Sequence, residues 1–289
     1  NWSNLGPAVV TNSSVSISGQ GRINTIIKDP NNNHTLYVGA PAGGIWKSTD
    51  DGVNWTPLSD NLPQIGVSGI AIDPTDSNII YISTGDDDAG DSYSVGVMKS
   101  TDAGQTWNTT GLTYLYTNGE TTNEIFIDPT NNNHIWVAST EGLQKSEDGG
   151  DTWEIKQDGN IVDFRLHPNY SDTSIIYAVG YKNNNSKFYL STDKGETFSE
   201  ISSVPSNANR IVLETTHAAV DNVYVLTAYD NGDGTYKGEN SFQGVYVSND
   251  AGLNFTKTAE TDDIFTSAQS WYDMALTVSE SDPDVLFVG

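Results

Sequence analysis

Two stretches of the 289-residue sequence concentrate the side chains that could do chemistry. The first carries four carboxylates and an aromatic ring, at Asp86, Asp87, Asp88, Asp91 and Tyr93. The second mixes carboxylates with aromatic rings, at Tyr229, Asp230, Asp233, Tyr236 and Phe242. Clustered carboxylate oxygens suit a hard cation. Calcium is therefore a candidate cofactor, with ligands from Asp86, Asp88 and Asp91 or from Asp230 and Asp233.

The second stretch resembles the middle of a calcium-binding loop at residues 231–234. In the EF-hand pattern, positions 1 and 12 would then fall on Tyr229 and Asn240, and neither is a carboxylate. That loop type is excluded, and another calcium geometry stays open for either stretch. The competing interpretation is that both are solvated turns of an acidic protein.

Carbohydrate binding is a second chemistry that these residues could support. Sugars stack on exposed aromatic rings and hydrogen-bond to carboxylates, and long loops on a rigid scaffold commonly bind ligands. We add Tyr181, from another loop, to the candidate set. The predicted ligand-binding residues are Asp86, Asp87, Asp88, Asp91, Tyr93, Tyr181, Tyr229, Asp230, Asp233, Tyr236 and Phe242.

Composition excludes several classes of protein. The chain has 38 acidic and 13 basic side chains, a net charge of −25, and 36% hydrophobic residues. A nucleic-acid partner is not expected, because phosphate binding needs clustered Lys and Arg. The sequence has no Cys, so disulfides and thiol nucleophiles are absent. It also has no apolar run of the length that a transmembrane helix needs.

An internal repeat organises the whole chain. The pattern S-x-D-x-G-x-x-[WF] occurs five times, beginning at Ser48, Ser100, Ser146, Ser191 and Ser248. Each copy follows an apolar strand, an Asn-rich turn that usually contains Asp-Pro, and a second strand. In the second repeat we predict strands at residues 67–72, 79–83 and 96–100 and a fourth that starts at Trp107. Four short strands per repeat of roughly 45 residues predict a β-propeller blade.

The repeated pattern has a mechanical explanation. It lies between the third and fourth strands, where an Asp can accept backbone hydrogen bonds and a Gly allows a tight reversal. The sequence resembles the Asp-box (BNR-like) repeats of sialidases, sortilin-type receptors, xyloglucanase-type glycoside hydrolases and many secreted bacterial surface proteins. The resemblance implies a structural role for five aspartates, Asp50, Asp102, Asp148, Asp193 and Asp250.

We therefore predict an all-β fold, a β-propeller of four-stranded antiparallel blades with Asp-box turns. It would have five complete blades plus one split or incomplete blade, in a single domain over residues 1–289. Residues 1–5 match residues 54–58, the end of a box and its outer strand, and would close the last blade. The last predicted strand stops at Gly289, so we expect further residues or blades of the same chain.

Two enzyme classes that share such repeats can be tested on the residues. Sialidases grip a substrate carboxylate with three arginines. The sequence has three, Arg22, Arg165 and Arg210, at different blade positions. Xyloglucanase-type enzymes carry a T-D-x-G-G-[AV]-Y stretch whose Asp is catalytic. Pro41 stands at that Asp position here, and Pro cannot transfer a proton.

By resemblance, the predicted function is an extracellular, non-catalytic binding or structural module at a bacterial cell surface. Its partner would be a glycan or a cell-surface protein. The alternative is a polysaccharide-active glycoside hydrolase, in which acids such as Asp86 and Asp230 flank the scissile bond. Two carboxylates about 5–10 Å apart across a cleft would favour the hydrolase.

Overall fold

The computed structural model describes residues 22–62, 66–86, 92–229, 241–259 and 274–289. These ranges are almost entirely strands and turns. The exceptions are a four-residue helix, α1 (Tyr170–Thr173), and a short 3-10 turn at Tyr116–Asn118. No helix in this described part is long and apolar enough to cross a membrane. The closing strand predicted at residues 1–5 lies outside the described residues.

The strands form five four-stranded antiparallel sheets and one two-stranded sheet within the described ranges. The first three sheets comprise β1 (Thr25–Lys28), β2 (Leu36–Ala40), β3 (Gly44–Ser48) and β4 (Thr56–Pro57); β5 (Val67–Ile72), β6 (Ile80–Thr84), β7 (Gly96–Ser100) and β8 (Asn108–Thr113); and β9 (Thr122–Ile127), β10 (Ile135–Ser139), β11 (Gly142–Ser146) and β12 (Glu154–Asp158).

The remaining sheets follow in chain order. They comprise β13 (Asn160–Leu166), β14 (Ile176–Lys182), β15 (Asn185–Ser191) and β16 (Ser199–Glu200); β17 (Ala208–Thr215), β18 (Val223–Tyr229), β19 (Ser241–Ser248) and β20 (Thr256–Lys257); and the pair β21 (Leu276–Val278) and β22 (Leu286–Val288). Each sheet is one propeller blade, numbered here from one to six. The predicted fold class is confirmed, and in the second blade the predicted strands agree with the observed ones to within one residue.

Apolar residues pack between neighbouring blades rather than in one central core. Five clusters of buried residues occupy the five successive blade-to-blade interfaces. Strands such as β5 and β10 are buried along their whole length. This burial follows from stacking, because each blade is covered on both faces and its strands need apolar side chains on both.

The Asp-box turns have the same hydrogen bonds in all five copies. In the third, the Ser146 hydroxyl donates to Asp148 Oδ1 at 2.8 Å and accepts from the Gly150 amide at 2.8 Å. The Thr152 amide also donates to Asp148 Oδ1, at 2.8 Å. Equivalent bonds hold Asp50, Asp102, Asp193 and Asp250.

These bonds favour the ionised form of each box aspartate. The hydrogen bonds from Thr152 lower the pKa of Asp148 to about 2, and those from Asn254 lower the pKa of Asp250 to about 2. The same cause lowers the pKa of the remaining three, Asp50, Asp102 and Asp193. A carboxylate that accepts several hydrogen bonds resists protonation. The box charges are therefore part of the turn architecture.

Asp-box turns also contact the preceding blade. The ring of Trp136 in the third blade packs against Gly195 in the box of the fourth, and Tyr177 packs against Gly252 in the next. Tyr81 uses its hydroxyl for the same purpose and donates to the Gly149 carbonyl at 2.9 Å. At these three interfaces an aromatic residue of the second strand thus sets the spacing to the next blade.

Candidate functional site

The side of the propeller opposite the Asp-boxes is called the loop face here. It consists of the turns between second and third strands and the connections from one blade to the next. Neighbouring loops bond to each other: the Ser92 hydroxyl donates to the Pro41 carbonyl at 2.9 Å, and the Ser94 amide donates to the Glu120 carbonyl at 2.8 Å. These bonds join the loops of the first three blades into one surface.

Pro41 lies in the turn between β2 and β3, where the resemblance to xyloglucanase-type enzymes would place a catalytic Asp. The residue is buried, and its carbonyl accepts the Ser92 hydroxyl. Neither the Pro41 ring nor the Pro41 carbonyl can donate a proton to a glycosidic oxygen. Any acid chemistry on this face must therefore come from other carboxylates.

Asp86 is the only predicted carboxylate of the first acidic stretch within the described residues. Its side chain is fully buried, ion-paired with Arg22 and hydrogen-bonded to the Asn24 amide at 3.4 Å. The pair ties the entry of the first blade to a loop of the second. Asp87, Asp88 and Asp91 lie outside the described residues, so a role in ligand binding stays a prediction.

Two tyrosines form an exposed aromatic pair on the loop face. The rings of Tyr93 and Tyr116 meet edge to face with centroids 5.5 Å apart, and the residues are 40% and 48% exposed. Leu115 beside them is 71% exposed. Tyr93 was predicted as a ligand contact, and Tyr116 comes from the connection between the second and third blades. Such a platform can carry a stacked sugar ring.

Two glutamates lie in neighbouring loops of the same face. Glu120 follows Gly119 in the connection between the second and third blades, and its carboxylate accepts a hydrogen bond from the Thr140 hydroxyl. Glu141, the next residue after Thr140, is exposed. Neither glutamate was among the predicted site residues, because one lies in an inter-blade connection and the other in a short turn without a motif.

The centre of the propeller holds the three arginines together. A cavity of about 210 Å³ is lined by Arg22, Arg165, Arg210, Glu124 and Asp163, among others. Their different blade positions in the sequence gave no sign of this convergence. Arg22 pairs with Asp86, and Arg165 pairs with Asp163 and, at 3.3 Å, with Glu214. The guanidiniums of Arg22 and Arg165 therefore bind carboxylates of the protein itself. In a sialidase, by contrast, the three arginines bind the carboxylate of the substrate.

The acids of this cluster are shifted toward their neutral forms. Burial raises the pKa of Glu124 to about 7, against a smaller opposing effect of Arg165. Burial likewise raises the pKa of Asp163. Glu124 and Arg165 also line a second cavity of about 400 Å³ along the channel, so they stand between the two cavities. The signal in the sequence was an acidic residue directly before the apolar run Ile125–Ile127 of an innermost strand.

The raised pKa of Glu124 predicts a pH-dependent stability. Between about pH 4.5 and 7 the folded state holds a proton that the unfolded state has released, so stability falls as pH rises through that window. Urea titrations across it should show a decline of about 3 kcal/mol that the Glu124→Gln variant lacks. The exposed Asp60→Asn exchange is the control and should keep the decline. An unchanged slope in Glu124→Gln would contradict this assignment.

The other predicted contacts lie toward the fourth and fifth blades. Tyr181 is half-buried, and its hydroxyl donates to the Asn209 carbonyl at 2.7 Å. Phe242 packs partly buried against the apolar cluster of the fifth blade. Only the backbone of Tyr229 is described, and Asp230, Asp233 and Tyr236 lie outside the described residues. The pairing of Asp86 with Asp230 across a cleft therefore stays a prediction.

Metal binding was tested on the described ranges. They contain no group of three or more His, Asp or Glu side chains arranged to hold a metal ion. Most of the predicted calcium ligands lie outside those ranges, so calcium stays a prediction. At Asp86 a cation would have to compete with the guanidinium of Arg22.

Comparison with models of known protein families shows which family the chain belongs to. The model of the Sortilin-Vps10 family (sortilin, neurotensin receptor 3) matches residues 141–287, half of the sequence. The chain belongs to this family. The predicted resemblance to Asp-box propellers is thereby confirmed. The matched region runs from the second half of the third blade to the end of β22.

The individual relatives of this Sortilin-Vps10 family member are enzymes named xyloglucanases. Xyloglucanase Xgh74A of Acetivibrio thermocellus is 26% identical over 309 aligned residues, which cover 93% of this chain and 35% of the relative. A xyloglucanase of Paenibacillus sp is 26% identical over 76% of the chain and 24% of its own length. The chain thus spans about a third or less of these relatives.

Solved structures confirm the propeller fold. The GH74 xyloglucanase of Xanthomonas campestris superposes with a TM-score of 0.65 at 17% identity, covering 95% of this chain and 43% of that one. YCF48 of Cyanidioschyzon merolae gives 0.51 at 12% identity, covering 85% and 87%. At these identities the likeness concerns the fold alone.

The prediction of a non-catalytic binding or structural module is wrong. The relatives that match nearly the whole chain are xyloglucanases, and they favour the alternative, a polysaccharide-active glycoside hydrolase. The prediction failed because it gave decisive weight to Pro41, a single position, whereas the similarity is spread over the whole propeller.

Proposed function

We propose that this chain is the propeller part of a glycoside hydrolase acting on a xyloglucan-type polysaccharide. The observation that carries the proposal is the 26% identity to a xyloglucanase over 93% of the chain. The loop face offers matching chemistry in the exposed pair Tyr93 and Tyr116 and in Glu120 and Glu141 of neighbouring loops. A net charge of −25 disfavours an anionic polysaccharide and is compatible with a neutral one.

The catalytic acids are part of the same proposal. Glycoside hydrolysis uses a pair of carboxyl groups that flank the scissile bond. Since Pro41 supplies none, we propose Glu120 and Glu141 as the first candidates: Glu120 accepts a hydrogen bond from the Thr140 hydroxyl, and Glu141 is the exposed residue after Thr140. The cluster around Glu124 is a weaker candidate, because its acids are committed to Arg165.

The proposal extends to location. A polysaccharide of this type is too large to enter a cell, so we infer that the protein is secreted or displayed outside the cell. The absence of a membrane-crossing helix in the described residues is compatible with this inference. Detection of the protein in culture medium or at the surface of intact cells tests it.

The direct test is the release of reducing ends from xyloglucan, with mixed-linkage glucan, cellulose and polygalacturonate as comparisons. We expect release from xyloglucan, and a rate at least about 100-fold lower for Glu120→Gln or Glu141→Gln, the scale of a lost general acid or base. Glu154→Gln, an exposed exchange on an outer strand, is the control. A folded protein that cleaves none of the neutral polysaccharides would overturn the proposal, whereas full activity in both variants would overturn only the acid assignment.

A further inference from the structure

A groove of about 470 Å³ opens on the loop face between the fourth and fifth blades. Its six lining residues are uncharged and include four asparagines: Asn160, Tyr181, Asn184, Asn207, Ala208 and Asn209. Of the charged residues nearest to them in sequence, Asp158 and Lys182 form an ion pair with each other at 2.7 Å, and Arg210 lines the central cavity. In a chain of net charge −25, this groove is a neutral surface of amide donors and acceptors.

The walls of the groove are held in place by a clamp at Ser186. The Ser186 hydroxyl donates to the Pro205 carbonyl at 2.7 Å and accepts from the Ala208 amide at 3.0 Å. This clamp fixes the segment that carries Asn207 against the turn that carries Asn184. A preorganised wall binds more tightly, because less conformational entropy is lost on binding.

Two further contacts orient individual groups. The Gln243 amide donates to Asn207 Oδ1 at 3.0 Å, and Asn207 keeps Nδ2 as a donor group that a ligand could use. The amide oxygen of Asn160 is buried and accepts no hydrogen bond from any described residue. A buried acceptor without a donor is costly, and a ligand hydroxyl would satisfy it after a small opening of the wall.

We propose that this groove is a subsite for a neutral sugar unit, recognised by asparagine amides and the Tyr181 hydroxyl through its ring hydroxyl groups. Neutral donors and acceptors satisfy hydroxyls without paying for the desolvation of a charge, and they provide no counter-ion for a uronate. The choice of sugar class rests on the proposed function. The subsite itself rests on the groove, and binding there does not require that this chain cleave the bond.

The test is a titration of the full chain with xyloglucan oligosaccharides, followed by calorimetry and by the NMR signals of the asparagine side-chain amides. The key variant combines Asn184→Gly with Asn207→Ala. Gly is chosen at 184 because Asn184 has a φ of 60°, so the amide is removed without backbone strain. Asn33→Ala, an exposed asparagine on the Asp-box side, is the matched control. Oligogalacturonate is the charged probe.

We expect the amide signals of Asn184 and Asn207 to shift on titration, and the double variant to bind about ten-fold more weakly than wild type and Asn33→Ala, the scale of two lost hydrogen bonds. Unchanged affinity in the double variant, or equal binding of oligogalacturonate, would overturn the subsite. The two proposals fail separately: binding without release of reducing ends rejects only the hydrolase, and hydrolysis with unaltered binding in the double variant rejects only the subsite.

Discussion

Replacing Arg165 by Met should destabilise the protein by about 3–5 kcal/mol, a very large expected effect for a single substitution in this chain. Arg165 pairs with Asp163 and Glu214, donates to the Phe164 carbonyl at 2.9 Å and lies over the Phe126 ring. The substitution would leave the two partly or fully buried carboxylates without their cation. Denaturant unfolding monitored by tryptophan fluorescence measures the change.

Two companion variants isolate the cause. Lys182→Met removes the cation of an exposed ion pair with Asp158 and should cost less than about 1 kcal/mol. Adding Asp163→Asn to Arg165→Met should recover part of the loss, because one uncompensated charge is neutralised while the amide oxygen can still accept the Leu213 amide. Equal costs for Arg165→Met and Lys182→Met would show that the central cluster contributes no more than a surface pair.

Replacing Gly195 by Ala should cost about 3 kcal/mol, through two separate effects. Gly195 has a φ of +79°, a conformation in which a side chain is strained by about 1 kcal/mol. Its new Cβ would also lie 2.2 Å from Cη2 of Trp136 in the preceding blade, and overpacking of this kind costs about 1–3 kcal/mol. Thermal and denaturant unfolding both report the change.

The matched control is Gly52→Ala at the same position of the first Asp-box. Gly52 has a φ of +86°, but its Cβ would meet nothing closer than Cζ2 of Trp55 at 3.5 Å. This variant should therefore show only the backbone strain, about 1 kcal/mol. The difference between the two variants measures the blade-to-blade contact. Equal destabilisation by both would contradict the role assigned to Trp136 as a spacer.

Local features of the fold were predictable because the interactions that form them are close in sequence. In the second blade, β5 and β7 were predicted with the bounds observed, since alternating apolar residues and flanking turns specify strands locally. The Asp-box turn is likewise complete within eight residues. Repetition strengthened both predictions, because five copies of one pattern exclude chance.

The site was much less predictable, because its contacts join distant parts of the chain. Asp86 and Arg22 are 64 positions apart, and neither residue type nor spacing indicates that they pair. Glu120 becomes a candidate only in the folded protein, where the loops of the same face bring Tyr93 beside Tyr116. The groove near Asn207 is visible only when the fourth and fifth blades stand side by side. Function was mispredicted for a related reason, since one altered position outweighed a weak similarity spread over the whole chain.

The sequence by itself determined that this protein is an Asp-box β-propeller, because strand alternation and turn hydrogen bonds act within a few residues. Only the tertiary structure decided which side chains meet. Stacking the blades around one axis brought three arginines to a common cavity, placed the half-buried Glu124 among charges, and left an uncharged groove on an acidic surface. The physical reason is that charge, burial and hydrogen-bond partners depend on neighbours in space, which the chain order of six blades does not reveal.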